Sequence, residues 1–96
     1  MSTITERAGP RLHAAMCLSA GLNLAELGVR AELARKLGID KSRYARAVIQ
    51  GVQVTLDKLL EWMGEWNNGG HGIRGRVAFE FDSDGEPQFS VVAGIG

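Results

Sequence analysis

The hydrophobic spacing of this chain changes once, and that change fixes its fold class. Before Asn67, apolar residues recur every three or four positions. Leu56, Leu59, Leu60 and Met63 stand at i, i+3, i+4 and i+7, and Trp62 and Trp66 widen the same stripe. Thr55 is a suitable N-cap for this helix, and Asp57 places a negative charge in its first turn. The run Asn67-Asn68-Gly69-Gly70-His71-Gly72 breaks any regular element. Beyond it the period is two: Val77, Phe79 and Phe81 share one strand face, while Arg76, Ala78 and Glu80 share the other. A turn at Asp82-Ser83-Asp84-Gly85-Glu86-Pro87 follows, and Phe89 and Val91 then alternate with Gln88, Ser90 and Val92. The expected fold is therefore mainly α with a C-terminal β-hairpin. A lone two-stranded hairpin is marginal in water, so this one must pack on the helices, pair with a second chain, or do both.

Upstream of that switch the chain reads as a series of short helices. Residues 1–9 are expected to be a frayed arm. Pro10 suits a first helical turn, so the first helix is placed from Pro10 towards Leu27, with a stop near Ser19 and a restart at Asn23–Leu27 as the alternative. A second helix covers about Arg30–Leu37 and ends at Gly38, and a third covers about Lys41–Gln50 behind an Asp40 cap. The fourth is Leu56–Trp66. The chain thus divides into a helical part (1–66), a Gly-rich joint (67–75) and a hairpin (76–96).

With 96 residues there is room for one small domain, and 45% hydrophobic residues can supply its core. The single cysteine, Cys17, has no internal disulfide partner and reads as a small buried hydrophobe, which fits a cytoplasmic location. No apolar run is long enough to span a membrane, and the first residues lack a signal-peptide core. The net charge is zero but unevenly placed. Six basic residues face two acidic ones between Arg30 and Arg46, whereas from Asp57 onward three basic residues face seven acidic ones. The first segment is an electrostatic footprint for phosphate, and the second would turn away from it.

That basic segment has a specific shape. Ala34 is small where two helices must cross, Gly38 turns the chain, and Ile39 plugs the corner. Leu33, Leu37, Tyr44, Ala47 and Val48 point inward, which leaves Lys41, Ser42, Arg43, Ala45, Arg46 and Ile49 outside. On Glu32-Leu33-Ala34, Leu37-Gly38-Ile39, Ser42, Arg46 and Gly51, continuing to Leu59, the chain resembles the phage-repressor-like (Cro/C1, XRE-type) helix-turn-helix proteins. The likeness covers about residues 29–66. It departs from their pattern in four places, the first being a Leu22–Val29 segment longer than typical between the first and second helices. Arg30 stands where a Gln is usual, Tyr44 is larger than usual, and Val52-Gln53-Val54 lacks the usual basic residue.

The resemblance implies a lambda-repressor-like bundle of four to five helices that binds double-stranded DNA. Lys41, Ser42 and Arg46 would face bases, with Arg43 and Gln50 beside them, and Arg30, Arg35 and Lys36 would contact phosphates. The expected protein is a bacterial or phage-type transcriptional regulator, by default a repressor, acting as a homodimer. Trp62, Trp66, Val77, Phe79, Phe81, Phe89 and Val91 are its expected interface, with one strand pairing edge to edge with its symmetry mate. The rival reading is a protein-interaction module, such as an antitoxin or a phage protein directed at a host factor, in which the acidic hairpin makes the contact.

Other patterns carry less. Gly70-His71-Gly72-Ile73-Arg74-Gly75 follows a helix and precedes a strand, the reverse of a dinucleotide fingerprint, and reads as a joint. His13 and His71 lack clustered ligands, and Asp82, Asp84 and Glu86 lack the rest of a calcium loop, so neither a metal nor any other cofactor is expected. No spacing supports an enzyme.

Overall fold

The computed structural model describes residues 2–23, 25–26, 28–50 and 54–93. Four helices precede an antiparallel hairpin: α1 (Ser2–Ala20), α2 (Val29–Leu37), α3 (Lys41–Ala45), α4 (Leu56–Asn68), β1 (Arg76–Phe81) and β2 (Pro87–Val92). A π-helical turn, Arg46–Gln50, continues α3. The mainly α class with a C-terminal hairpin is the observed architecture. Among the described residues no helix is long and apolar enough to cross a membrane.

The first helix departs from expectation. It starts at Ser2, not Pro10, and Pro10 lies inside it. An interior proline removes one helical hydrogen bond and crowds the preceding turn, at a cost of about 3 kcal/mol. Packing offsets this. Ala8 and Leu12 are fully buried, and Gly9 lies directly against the Ala47 carbonyl of the π-helical turn. Local sequence favoured a helix start at the proline, and tertiary contact carried the helix past it. The alternative restart at Asn23–Leu27 includes Leu24 and Leu27, which lie outside the described residues. Asn23 forms a turn there: its side chain accepts from Ala25 N at 3.0 Å and its carbonyl from Glu26 N at 3.0 Å.

Helix α1 is the hub of the molecule, packing on α2, the π-helical turn, α4 and both strands. Leu12, Met16, Leu33, Tyr44, Val48, Leu59 and Trp66 are the large, fully buried side chains at its centre. The hairpin therefore docks on its own helices. The strands pair in the register Val77↔Val91, Phe79↔Phe89 and Phe81↔Pro87, so the alternating apolar set shares one face. Val77 is buried, and Phe89 packs against the core.

Two side chains tie the hairpin down. Asn67, at the end of α4, accepts from Val77 N and donates to Val77 O, both at 2.9 Å, and so imitates one more strand residue. Arg11 of α1 donates to Pro87 O at 2.8 Å and lies 3.3 Å from the Glu86 carboxylate. The joint is tied down as well. Arg74 N donates to Ser19 O at 2.7 Å, while Trp66 Nε1 donates to Ser19 Oγ at 2.9 Å and fastens α4 to α1 beside it.

Candidate nucleic-acid interface

The corner between α2 and α3 is set by local chemistry. Gly38 has φ 71°, a left-handed conformation that glycine adopts without strain. Its N–H donates to Arg35 O and the Ile39 N–H to Ala34 O, which closes the C-terminal turn of α2. Asp40 then starts α3, its carboxylate accepting from Ser42 N at 3.1 Å and Arg43 N at 3.2 Å. The turn is short because both helix ends are capped within three residues.

Behind α3 the packing is continuous. Tyr44, Ala47 and Val48 are buried, as their spacing predicts. The Tyr44 ring stacks beside Trp62 of α4, centroids 6.2 Å apart, and its hydroxyl meets His13 Nδ1 of α1 at 2.8 Å. His13 Nε2 in turn faces Cys17 Sγ at 3.8 Å. Burial, and secondarily the Arg30 charge, hold the His13 imidazole below its ordinary pKa. Burial pushes the Cys17 thiol up to about 11, and burial, with Cys17 nearby, pushes the Tyr44 phenol up. The cluster is thus neutral at physiological pH and serves as a polar pin between α1 and α3. Sequence reading placed Tyr44 inward but gave no partner to His13, because the two residues are 31 positions apart.

The opposite side of α3 is open. Lys41, Ser42, Arg43 and Arg46 are all exposed. Among the described residues none of these three cations forms an ion pair, and neither does the exposed Arg30 at the start of α2. The Gln50 side chain lies outside the described part of the structure, as does the loop Gly51–Gln53. The expected phosphate contacts Arg35 and Lys36 differ from Arg30, because both reach Glu32, Arg35 as a hydrogen-bonded pair and Lys36 at 3.6 Å. Arg35 bonding, foremost, lowers the Glu32 pKa. Exposed pairs at this spacing are worth only a few tenths of a kcal/mol, so neither cation is locked away.

Lys58, which sequence reading left unassigned, is brought beside this face. A cleft of about 410 Å³ runs between the π-helical turn and α4, and Arg43, Arg46, Lys58 and Thr55 line it. Only the packing of α4 on α3 through Trp62 and Tyr44 produces this grouping.

The expected dimer interface needs correction. Trp62, Trp66 and Val77 are 4%, 0% and 2% exposed, so they belong to the core of the single chain. Phe79, Phe89 and Val91 are half-buried, and Phe81 is open at 56%. The apolar stripe was read correctly as a face, but α1 and α4 already cover most of it.

Edge-to-edge pairing through Val77 is blocked as well. The Val77 N–H and C=O bond Asn67, away from β2, and by the antiparallel alternation those of Phe79 and Phe81 also face away from β2. A copy paired through Phe79 and Phe81 places Glu80 opposite its own counterpart, a repulsive pair.

The acidic turn is also occupied internally. The Asp82 carboxylate accepts from Asp84 N at 2.9 Å, Glu86 N at 3.0 Å and Gln88 Nε2 at 2.8 Å. These bonds, the one to Glu86 first, keep the Asp82 carboxyl below its usual range. No protein-family model matches the chain, and neither the curated proteins nor the solved structures give a match.

Proposed function

We propose that this protein is a sequence-specific transcriptional regulator that binds double-stranded DNA through α2 and α3, in a lambda-repressor-like helix-turn-helix arrangement. The observation that carries the reading is the two-sidedness of α3. Tyr44 of α3 and Ala47 and Val48 of the π-helical turn are buried on the inner side, while Lys41, Ser42, Arg43 and Arg46 stand exposed on the outer side, the three cations without an ion pair among the described residues. A helix packed on one side in this way, with polar and cationic side chains outward, suits a major groove. Arginine matches the guanine edge, and Lys41 and Ser42 suit bases or phosphates. Arg30 supplies a backbone contact at the start of α2, with Arg35 and Lys36 available beside it.

The regulator acts as a homodimer, since one reading head has limited affinity and a two-fold pair reads two half-sites. Phe81, at 56% exposure, is the open member of the hairpin's apolar face and its contact in this reading.

The test is duplex binding measured by fluorescence anisotropy at two salt concentrations. Affinity falls steeply with salt, and Lys41→Ala and Arg46→Ala weaken binding where Arg76→Ala, on the hairpin, does not. Loss of one phosphate contact lowers the salt slope by about 0.9. Failure to hold duplex DNA even at about 50 mM salt, where phosphate contacts are strong, refutes the reading.

A further inference from the structure

We propose that the cleft between the π-helical turn and α4 is a binding seat for a small organic phosphate, and that its occupation competes with DNA. The evidence is the convergence of charge. Arg43 and Arg46 enter from the outer side of α3 and the turn that follows, Lys58 from the first turn of α4. Arg43 and Arg46 have no acidic partner among the described residues. Lys58 has one, Glu61 at 3.2 Å, in an exposed i,i+3 pair that holds it weakly. Asp40 and Glu65 share the adjoining cleft with Arg43 and Lys58, so the opening is left with a partly offset positive charge that an anion would neutralise.

The donor set favours phosphate. Two guanidinium forks match a tetrahedral oxyanion in two directions, and the lysine adds a point charge. The Thr55 hydroxyl accepts the Lys58 N–H at 3.2 Å, so its own proton remains to be donated. The cleft also has apolar lining from Ala47, Val54 and Trp62. That lining would take the organic part of the ligand. A volume of about 410 Å³ suits a metabolite-sized compound.

The seat has a regulatory consequence, which rests on the DNA-binding reading although the seat itself does not. Arg43 and Arg46 serve both surfaces. A bound phosphate would draw their side chains into the cleft and neutralise them, so the ligand would act as an inducer.

The test is an amide-shift titration with inorganic pyrophosphate at fixed ionic strength, read beside a duplex-binding assay. The shifts should saturate and concentrate at residues 43–47 and 54–58. Arg46→Gln and Lys58→Gln should each weaken the affinity about tenfold, as loss of a charge-assisted hydrogen bond does, while Arg76→Gln leaves it unchanged. Pyrophosphate should also displace duplex from the wild type. Shifts that never saturate, that spread equally to Arg30, Arg35 and Arg76, or that are indifferent to both cleft variants overturn the seat. Saturable pyrophosphate binding by a protein that ignores duplex DNA would keep the seat and refute the DNA-binding reading. The opposite pattern would refute the seat alone.

Discussion

Replacing Gly9 by alanine sets two effects of known size against each other. In a helix interior, Gly→Ala ordinarily stabilises by about 0.8–1 kcal/mol, because alanine loses less backbone freedom on folding. At Gly9 the new Cβ would overlap the Ala47 carbonyl oxygen and stand 3.0 Å from the Val48 Cα and 3.3 Å from the Ala47 carbonyl carbon. Carbon atoms rest at about 3.5–4.0 Å, so α1 and the π-helical turn must part by roughly half an ångström or more. The obstacle is backbone, which cannot rotate aside as a side chain would. Overpacking of this kind costs about 1–3 kcal/mol, which outweighs the propensity gain and leaves Gly9→Ala destabilised by up to about 2 kcal/mol. At about 4–8 °C per kcal/mol for a domain of this size, the melting temperature should fall by several degrees.

Gly64 is the control. It sits within α4 with nothing inside 4 Å of an added Cβ, so Gly64→Ala should raise stability by up to about 1 kcal/mol. Thermal and urea unfolding of the two variants measures both terms. If Gly9→Ala melts at or above the wild-type temperature, α1 does not cross the π-helical turn at this point, and residues 1–9 behave as the loose arm that the proline suggests.

Other consequences follow from the same contacts. Asn67→Ala removes both hydrogen bonds between α4 and Val77 and should cost about 1–3 kcal/mol in urea unfolding, with the hairpin amides losing hydrogen-exchange protection first. The depressed His13 pKa sets a pH dependence. Above about pH 6.5 the imidazole is neutral in both folded and unfolded chains and contributes nothing. Below that, the unfolded chain takes up the proton and the folded one resists it, so stability should fall as pH drops from 6.5 towards the folded value. Unfolding midpoints between pH 7.5 and 5.5 should show this slope, and His13→Asn should flatten it; an equal slope in the variant would assign the effect elsewhere. For the dimer, Phe81→Asp should give monomers on sizing at micromolar concentration, and a monomeric wild type would remove the two-fold part of the account.

What could be read from sequence alone followed the range of the forces involved. The α2–α3 corner is written in residues that act on their neighbours: Gly38 for its φ, Asp40 for its cap, Leu33 and Tyr44 for their helical spacing. The hairpin register is local as well, because alternation and one turn fix it. The start of α1 is not local. Pro10 argues for a boundary, and only the burial of Ala8, Gly9 and Leu12 against a segment some 40 residues away overrides it.

Trp62 and Trp66 show the same limit. A helical stripe says that a face is covered but not by what, and here the cover is α1 and Tyr44, not a second copy. The outward placement of Lys41, Ser42, Arg43 and Arg46 was legible from helical periodicity. The addition of Lys58 to Arg43 and Arg46 needed the packing of α4.

Selection of bound sequences from a random duplex pool tests the central claim most directly. The account predicts enrichment of a palindrome whose half-sites lie about one helical turn, 10–10.5 bp, apart, lost when Arg46 is replaced by alanine. A pool that stays random through successive rounds, or enrichment that Arg46→Ala leaves unchanged, would contradict it.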